Sequence, residues 1–328
     1  MATAALIGCG DVSVVHRAAI ERLGVDLVGV CDIDPSRAGT GYVDHRRLLD
    51  ELRPDVVHVC TPHDRHVPIA LDALDRGVHV LLEKPVAHTV AEADRLIWAA
   101  REHPDVKVGI CLQNRYNLAA RAARTLLTSG ELGAVHGGSA TVLWHRDRDY
   151  YRARPWRGRV GRSGGGVLIN QAIHTVDLLQ WLLGDVVGLR GHIGRYGIDD
   201  GTGDAGSDGG IDVEDTANLL LDHAGGARSV LFATVTNVVD TPVTIEIATD
   251  RATLLIRGDL TVSYRDGRTE VVPERRAGPD GRDYWGASHE SLITDFYRRL
   301  TEPAPFWLGP EEGARSLRLI EQVYRQHT

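Results

Sequence analysis

The sequence predicts an α/β protein of two domains, and three observations support this prediction. First, residues 1–115 alternate short apolar runs with helical patterns, which is typical of a parallel sheet buried on both faces. Second, the later apolar runs alternate with polar residues and have little helix between them, which indicates a mostly antiparallel sheet with one covered face. Third, the chain has 328 residues, more than one core usually holds.

The first domain is predicted to contain a series of strands joined by helices. The connection over residues 34–49 is short and contains glycine, so its helix should have only a turn or two. Thr89 is a predicted N-cap, with Glu92 as its capping-box partner. The predicted strands are 4–7, 26–31, 55–60, 78–82 and 106–110, and the other predicted helices are 13–23, 65–76 and 90–101.

The pattern changes near Tyr116, so we predict domains over residues 1–116 and 117–328. The predicted strands of the second domain are 134–145, 187–193, 213–222, 227–235, 243–248, 252–256 and 261–264, and its helices are 118–128, 285–300 and 310–325. Residues 194–212 are rich in glycine and aspartate. Their acids lack EF-hand spacing, so we expect a mobile surface loop there.

Composition excludes several classes of protein. The net charge of −8 argues against a nucleic-acid partner. No apolar run reaches the roughly 18 residues of a membrane helix, and no basic region precedes the first apolar run, so neither a membrane span nor a secretory signal is expected. The four cysteines contain no CxxC pair and are expected to be reduced thiols of a cytoplasmic protein.

The first thirty-two residues predict a dinucleotide site. Gly8 permits a tight turn after the first strand, and Gly10 lets the backbone approach a pyrophosphate at the start of the next helix. Ser13 replaces the third glycine of the usual motif. Asp32 lies where an acid receives the ribose hydroxyls of NAD, and its charge would repel a 2′-phosphate. Arg37 is close enough in sequence to keep NADP as an alternative.

Two further motifs follow predicted strands, where ligands bind in open α/β sheets. Thr61-Pro62 makes either a rigid turn near a nicotinamide or a plain loop. Lys84, in the motif Glu83-Lys84-Pro85, would lose hydration at the mouth of a buried sheet and could accept a proton from an alcohol. The alternative is a solvated turn lysine. Pro85 would fix the direction of the turn, and a cis bond is one way to do so.

A third motif lies in the second domain. Three glycines, residues 164–166, precede a helix on which Asn170, His174 and Asp177 share one stripe beside an apolar stripe. Such a helix can present side chains to a pocket, and His174 could exchange a proton with a substrate hydroxyl. The alternative is a core histidine satisfied by Asp177. No metal site is predicted, because no third ligand has suitable local spacing.

Together these motifs resemble the glucose–fructose oxidoreductase and inositol dehydrogenase (Gfo/Idh/MocA) family. The resemblance implies an N-terminal Rossmann domain and a C-terminal α/β domain with an open, mostly antiparallel sheet. It also implies NAD- or NADP-dependent oxidation or reduction of a secondary alcohol on a sugar, cyclitol or nucleotide-linked sugar. Lys84 would lie by the reacting carbon and His174 would contact the hydroxyl. Asn170 stands where the inositol dehydrogenase type has an aspartate, which removes a carboxylate relay.

The motifs and the resemblance yield a set of candidate binding residues. Those expected to bind the cofactor are Gly8, Gly10, Asp11, Val12, Asp32, Thr61, Pro62, His66, Glu83 and Lys84. Those expected to bind substrate are Arg115, Tyr151, Trp156, Arg157, Asn170 and His174, with Tyr150 as a further ring that could stack on a sugar. Arginines in this region could equally pair with acids at a subunit interface. The resemblance also implies a homodimer or homotetramer.

The leading hypothesis is an NAD-dependent dehydrogenase of a sugar, cyclitol or sugar derivative. It requires Lys84 and His174 to meet over one face of the coenzyme. A nucleotide-sugar or antibiotic-sugar ketoreductase is the first alternative, because the basic residues 152–162 could hold a diphosphate. A nucleotide-sensing protein that has lost catalysis is the second, and Asn170 is the feature that favours it.

Overall fold

The computed structural model describes residues 2–197, 210–275 and 287–327. Its first sheet has five parallel strands in the order β2-β1-β3-β4-β5, and their buried residues form near-continuous apolar runs. The strands are β1 (Thr3–Ile7), β2 (Asp26–Cys31), β3 (Val56–Val59), β4 (His79–Leu82) and β5 (Val108–Ile110). The strand order reverses between β1 and β3, which is where ligands bind in such sheets. The predicted parallel α/β architecture is confirmed.

Helices connect these strands. The helices are α1 (Ser13–Arg22), α2 (Pro35–Ala38), α3 (His45–Leu52), α4 (His63–Leu74) and α5 (Val90–Glu102). The connection after β2 carries the two short helices α2 and α3, in agreement with the expectation of only a turn or two. Thr89 caps α5 as predicted, because its side chain accepts a hydrogen bond from the Glu92 N–H at 3.3 Å.

The second sheet has eight described strands in the order β13-β12-β11-β10-β6-β9-β8-β7. They are β6 (Val135–Leu143), β7 (Val186–Gly194), β8 (Thr216–His223), β9 (Arg228–Thr234), β10 (Thr244–Thr249), β11 (Ala252–Arg257), β12 (Asp259–Tyr264) and β13 (Thr269–Val272). Only β6 and β9 pair in parallel, so the expected mostly antiparallel sheet is confirmed. Strand β13 was not predicted, because no residue in it is buried.

The second sheet is accompanied by helices that carry or support the predicted glycine motif. They are α6 (Leu118–Ser129), α7 (Arg148–Arg152), α8 (Val160–Ser163) and α9 (Ile173–Leu183), with 3-10 turns at Gln113–Tyr116 and Pro155–Gly158 and a π-helix at Leu168–Ala172. The predicted loop over residues 194–212 lies largely outside the described residues. None of the described helices combines the length and the apolar character needed to cross a membrane.

The chain divides into two compact units, and neither is one continuous segment. Counted over the described residues, the first unit contains 2–113 and 287–315, and the second contains 114–275 and 316–327. Helix α10 (Ala287–Arg298) joins the first unit because Phe296 and Phe306 fill the space beside Gly109, where a Cβ would lie within 3.0 Å of their rings. Helix α11 spans Pro310–Arg325. We call these units the first and second domain.

The four cysteines are free thiols, as the sequence predicted. Burial raises the pKa of Cys60 well above its ordinary value, which favours the neutral thiol. Such a group is a weak nucleophile.

Candidate active site

The glycine turn after β1 has room for a ligand beside Gly10. Gly8 has a φ of +93°, and a Cβ there would lie 2.5 Å from the Cys60 carbonyl oxygen, so only glycine fits. A Cβ on Gly10 would meet none of the described atoms within 4 Å. Asp11 and Val12 complete the turn, and Val12 makes no side-chain cap at the start of α1. Free N–H groups at such a helix start favour an anion, so the turn fits a pyrophosphate.

Asp32 presents a fixed carboxylate after the end of β2. Its Oδ2 accepts a hydrogen bond from the Cys9 N–H at 2.8 Å, and its Oδ1 accepts one from the Asp34 N–H at 2.9 Å. Each carboxylate oxygen retains further acceptor capacity, so the group can still receive ribose hydroxyls. Arg37 Nε lies 3.4 Å from Asp34 Oδ2, so this guanidinium already has an ion-pair partner. The arrangement fits NAD better than NADP.

The turn after β3 contains a buried hydroxyl that could bind a ligand. Thr61 Oγ1 has no hydrogen-bond partner among the described residues, although it is buried. An orphaned buried hydroxyl is costly, and a bound cofactor could satisfy it. Pro62 follows, and α4 begins at the next residue. On this helix, both ring nitrogens of His66 lie at hydrogen-bond distance from backbone carbonyl oxygens of the same domain, those of Pro85 and Thr61.

Lys84 stands in a turn that a buried carboxylate anchors. Glu83 is 5% exposed, and its Oε2 accepts a hydrogen bond from the Lys84 backbone N–H at 3.2 Å. His16 Nε2 lies 3.0 Å from Oε1 of Glu83, and His289 Nε2 lies 3.3 Å from the same oxygen as a less well-directed charge contact. The Lys84–Pro85 peptide bond is cis. The Glu83 side chain thus holds the lysine turn rather than reaching toward solvent.

Burial alone would raise the pKa of Glu83, but its contacts with His16 and His289 outweigh burial and hold the pKa well below its ordinary value. The network continues, because His16 Nδ1 lies 2.8 Å from His58 Nδ1 and His58 Nε2 lies 2.8 Å from the Tyr297 hydroxyl. Burial, aided by the charge of His16, lowers the pKa of His58 well below its ordinary value. The buried carboxylate is therefore part of a network of imidazole side chains.

Sequence reasoning missed these histidines. Among the described residues, the ligand atoms of His16, Glu83 and Cys111 lie within 4.8 Å of one another, close enough to be considered as a metal site. His16 also lies at hydrogen-bond distance from Glu83 and His58, so these side chains form a hydrogen-bonded cluster. The available signal was indirect: a glutamate after a buried strand needs partners from elsewhere in the chain.

In the second domain, a buried glutamate holds the start of the helix that carries His174. Glu214 accepts hydrogen bonds from the Gly166 N–H at 2.6 Å, the Leu168 N–H at 3.0 Å and the Tyr324 hydroxyl at 2.8 Å. A Cβ on Gly166 would lie 1.8 Å from the Glu214 carbonyl oxygen, which explains the glycine run. Burial raises the pKa of Glu214, although these hydrogen bonds act in the opposite direction.

Asn170 lies in the π-helix Leu168–Ala172, immediately before α9. Such π-turns occur often at functional sites. The Asn170 amide donates to the Tyr150 hydroxyl at 3.4 Å, and the Gln171 amide donates to the same oxygen at 3.2 Å. The guanidinium of Arg157 lies 4.3 Å from the centre of the Tyr150 ring. Asn170 and Arg157, both predicted as substrate ligands, thus contact the same tyrosine, one at its hydroxyl and one over its ring.

Asp177 is paired with an arginine of the same domain. It makes a bidentate ion pair with Arg115, with Nε–Oδ2 at 2.8 Å and Nη2–Oδ1 at 2.7 Å. Both side chains are at most 3% exposed. Arg115, predicted from the sequence as a substrate ligand, thus has a buried guanidinium that is paired with a carboxylate of α9.

Tyr151 also differs from its predicted role. It is 4% exposed and packs with Ile211 and Val213, so it is a core residue. Its neighbour Tyr150 contacts Asn170 instead, because consecutive helical residues point in different directions. Trp156 and Arg157 are half-buried, with the guanidinium 5.9 Å from the indole ring. His174 is half-buried at the start of α9.

Comparison with known proteins gives matches to both domains. Residues 2–110 match the model of the oxidoreductase family with an NAD-binding Rossmann fold, and residues 120–255 match the model of the GFO/IDH/MocA C-terminal domain.

Among curated relatives, levoglucosan dehydrogenase of Pseudarthrobacter phenanthrenivorans is 26% identical over 58% of this chain and 52% of its own length. D-glucoside 3-dehydrogenase of Escherichia coli is 32% identical over 55% of this chain and 53% of its own. The chain thus spans about half the length of these relatives. Among solved structures, the WlbA dehydrogenase of Bordetella pertussis in complex with NADH and UDP-GlcNAcA has a TM-score of 0.82 and 25% identity, covering 99% of this chain and 95% of that one.

Proposed function

Because the chain belongs to the GFO/IDH/MocA oxidoreductase family, we propose that it is an NAD-dependent dehydrogenase that oxidises a secondary alcohol of a sugar, cyclitol or sugar derivative. The observation that carries this proposal is the position of Lys84. It stands at the carboxyl end of β4, in the NAD-binding domain, in a turn that Glu83 anchors. The named dehydrogenases of sugars among its relatives support the same class of substrate.

The residues of the first domain fit NAD. The open space beside Gly10 would accept the pyrophosphate, Asp32 would receive the ribose hydroxyls, and the orphaned Thr61 hydroxyl would bond the cofactor near its reactive end. When bound, NAD supplies the acceptor for the hydride that leaves the alcohol carbon. Everything else in the reaction concerns the hydroxyl proton and the orientation of the sugar.

Lys84 is proposed to take the hydroxyl proton as a neutral amine. Its backbone is held by Glu83, so the side chain leaves a fixed point. A positioned proton acceptor of this kind contributes about 10²–10⁴-fold to a rate. His174 is proposed to bond the reacting hydroxyl. Asn170 can donate and accept hydrogen bonds but does not titrate, so the proton must go to Lys84 or His174.

A screen of substrates tests this proposal. The protein is supplied separately with NAD and NADP, and absorbance of the reduced cofactor is followed with cyclitols, hexoses and sugar nucleotides. Reduction of NAD by at least one polyol is the expected result. Binding of NAD with no turnover across the panel would contradict the proposal and favour the nucleotide-sensing alternative.

A nucleotide-sugar substrate is a second candidate, and a specific contact favours it. Arg157 stacks on Tyr150, whose hydroxyl bonds Asn170, so a guanidinium lies one aromatic ring from a proposed substrate ligand. Guanidinium groups bind phosphates through paired hydrogen bonds. The similarity to WlbA, solved with UDP-GlcNAcA, supports the same possibility. A UDP- or dTDP-sugar that outperforms free inositols and glucose in the screen would select this candidate.

A further inference from the structure

His66 makes two contacts that together define its protonation. Its Nδ1 lies 2.7 Å from the carbonyl oxygen of Pro85, and its Nε2 lies 2.9 Å from the carbonyl oxygen of Thr61. The residue has no exposed surface. A carbonyl oxygen can only accept a hydrogen bond, so each ring nitrogen must carry a proton to make its contact favourable. In this arrangement the ring is an imidazolium.

Another buried histidine of the chain provides a contrast. His223 Nδ1 lies 2.9 Å from the Gly184 carbonyl oxygen, and its Nε2 lies 2.8 Å from the Ser229 hydroxyl. A hydroxyl can donate as well as accept. A neutral ring with one proton on Nδ1 therefore satisfies both contacts of His223, whereas no neutral tautomer satisfies both contacts of His66.

We propose that His66 is a positioning residue that works as a buried imidazolium, joining the Thr61-Pro62 turn to the Lys84-Pro85 turn. These turns follow the neighbouring strands β3 and β4 and carry the orphaned Thr61 hydroxyl and the proposed proton acceptor Lys84. Bridging them fixes the separation of the two groups. The proton count follows from geometry alone, and only its consequence for catalysis rests on the proposed function.

The groups around the His66 ring have opposing effects on its pKa. The pKa of His66 is lowered from its ordinary value, chiefly by burial and further by Lys84, although the two carbonyl oxygens and the carboxylate of Glu83 act to raise it. The His63 ring, on the same helix, has its centre 5.7 Å away. The short contacts decide between these influences, because removing either proton would place a nitrogen lone pair against a carbonyl oxygen at less than 3 Å.

Loss of one proton therefore has a specific consequence. As pH rises through the pKa of His66, one of the two contacts breaks and the two turns are no longer joined. NADH affinity should then fall on the alkaline side, and the same should hold for turnover. A buried histidine with a purely space-filling role would give no such dependence.

The first experiment counts protons directly. Two-bond ¹H–¹⁵N correlation spectra are recorded on histidine-labelled wild-type protein near neutral pH, with His66 and His223 assigned from the spectra of H66Q and H223Q. We expect two protonated nitrogens for His66 and one for His223. An unprotonated nitrogen on His66 at a pH where the protein binds NADH would overturn the proposal.

The second experiment measures the consequence. NADH affinity of wild type, H66Q and the matched control H223Q is followed by fluorescence from about pH 5 to 9, which includes the range below the ordinary pKa of histidine. Glutamine has one donor nitrogen and cannot keep both contacts, so H66Q should bind NADH about tenfold more weakly and lose the alkaline decline. H223Q should retain the wild-type profile. Wild-type affinity and profile in H66Q would overturn the proposal.

The two measurements separate this proposal from the proposed function. If no polyol is oxidised, the proposed function fails, yet the proton count and the NADH profile still decide the role of His66. If H66Q does not fold, the spectra of wild-type protein decide it, with His66 assigned from neighbouring backbone resonances.

Discussion

In each domain, a buried glutamate accepts backbone N–H groups near a candidate catalytic side chain, but the pKa values of the two glutamates are shifted in opposite directions. In the first, buried Glu83 accepts the backbone N–H of Lys84; in the second, buried Glu214 accepts backbone N–H groups just before the helix of His174. Imidazoles hold the pKa of Glu83 low, whereas burial raises the pKa of Glu214, which accepts hydrogen bonds from two backbone N–H groups and the Tyr324 hydroxyl. A buried acid can thus anchor a functional segment with or without a cation.

The domains also differ in what the anchored segment contains. The first domain brings residues from several strand ends to one edge of a parallel sheet, which is the usual ligand position in that fold. The second presents consecutive residues of one helix, interrupted by a π-turn. Substitutions should therefore affect cofactor and substrate differently, according to the domain in which they lie.

The largest effect is expected at Lys84. Lys84→Ala should lower kcat by about 10²–10⁴-fold, because the proton acceptor is lost, while the variant still binds NADH. Lys84→Arg should lose as much, since a guanidinium does not release its proton near neutral pH. Steady-state kinetics and NADH titration provide the measurement. Undiminished turnover in either variant would contradict the assigned role.

His174→Gln should lower kcat by about 10²-fold with NADH affinity retained, because the substrate hydroxyl loses one partner. His192→Gln, an exposed histidine of the same domain, is the matched control. The sequence predicts that Lys84 and His174 act on one hydroxyl. The double variant should then lose less than the product of the two single losses. A loss in kcat of the double variant equal to the product of the two single losses would contradict that prediction.

Asp177→Asn should destabilise the second domain by about 3–5 kcal/mol, because it leaves the buried Arg115 guanidinium without its charge partner. Urea unfolding measures this change. Asp149→Asn is the control, since that ion pair is largely exposed and should contribute little. Equal stability of the two variants would contradict the role assigned to the Arg115–Asp177 pair.

The two buried glutamates should give opposite pH dependences of stability. A lowered folded pKa at Glu83 contributes stability above the unfolded value of 4.5 that is lost as pH falls through the folded pKa. A raised folded pKa at Glu214 makes its contribution largest below 4.5 and diminishes it as pH rises toward the folded pKa.

Thermal unfolding of Glu83→Gln and Glu214→Gln, measured across this range, tests the two signs. Glu83→Gln should lose the decrease in stability that wild type shows as pH falls below 4.5. Glu214→Gln should lose the decrease that wild type shows as pH rises above 4.5. Glu21→Gln, on the exposed face of α1, should change neither. If the pH dependence of stability changed in the same direction in both variants, the two glutamates would not have opposite pKa shifts.

The smallest predicted perturbation concerns assembly. The second sheet exposes Leu220, Val230 and Phe232, which are 38%, 48% and 43% exposed on the paired strands β8 and β9. We propose that a second copy covers this apolar face. Phe232→Glu should shift the mass measured by light scattering toward the monomer, with Trp98→Glu in the first domain as control. A wild-type monomer would refute the proposal.

Much of the first domain could be predicted from the sequence because its signals are local. Apolar runs, the glycine turn and the Thr89 cap each involve residues a few positions apart, and each structural feature lies where the sequence indicated. The partners of Glu83 could not be predicted in this way. His16 and His289 come from helices far apart in the chain, and no spacing rule connects them.

In the second domain, local reasoning anticipated neither a π-turn nor the burial of two side chains. A regular helix was assumed for the segment with Asn170 and His174, but the structure inserts a π-turn. Arg115 and Tyr151 were assigned to substrate by residue type, whereas the structure buries both. Residue type indicates what chemistry a side chain can perform, but burial decides whether a ligand can reach it.

The sequence by itself determined the succession of elements, the glycine turn and the identities of the two candidate catalytic groups, because these depend on periodicity and short-range sterics. Only the tertiary structure decided which polar groups are buried together: Glu83 with three imidazoles nearby, Asp177 with Arg115, and His66 between two carbonyl oxygens. The physical reason is that the protonation and role of a buried group depend on its neighbours in space.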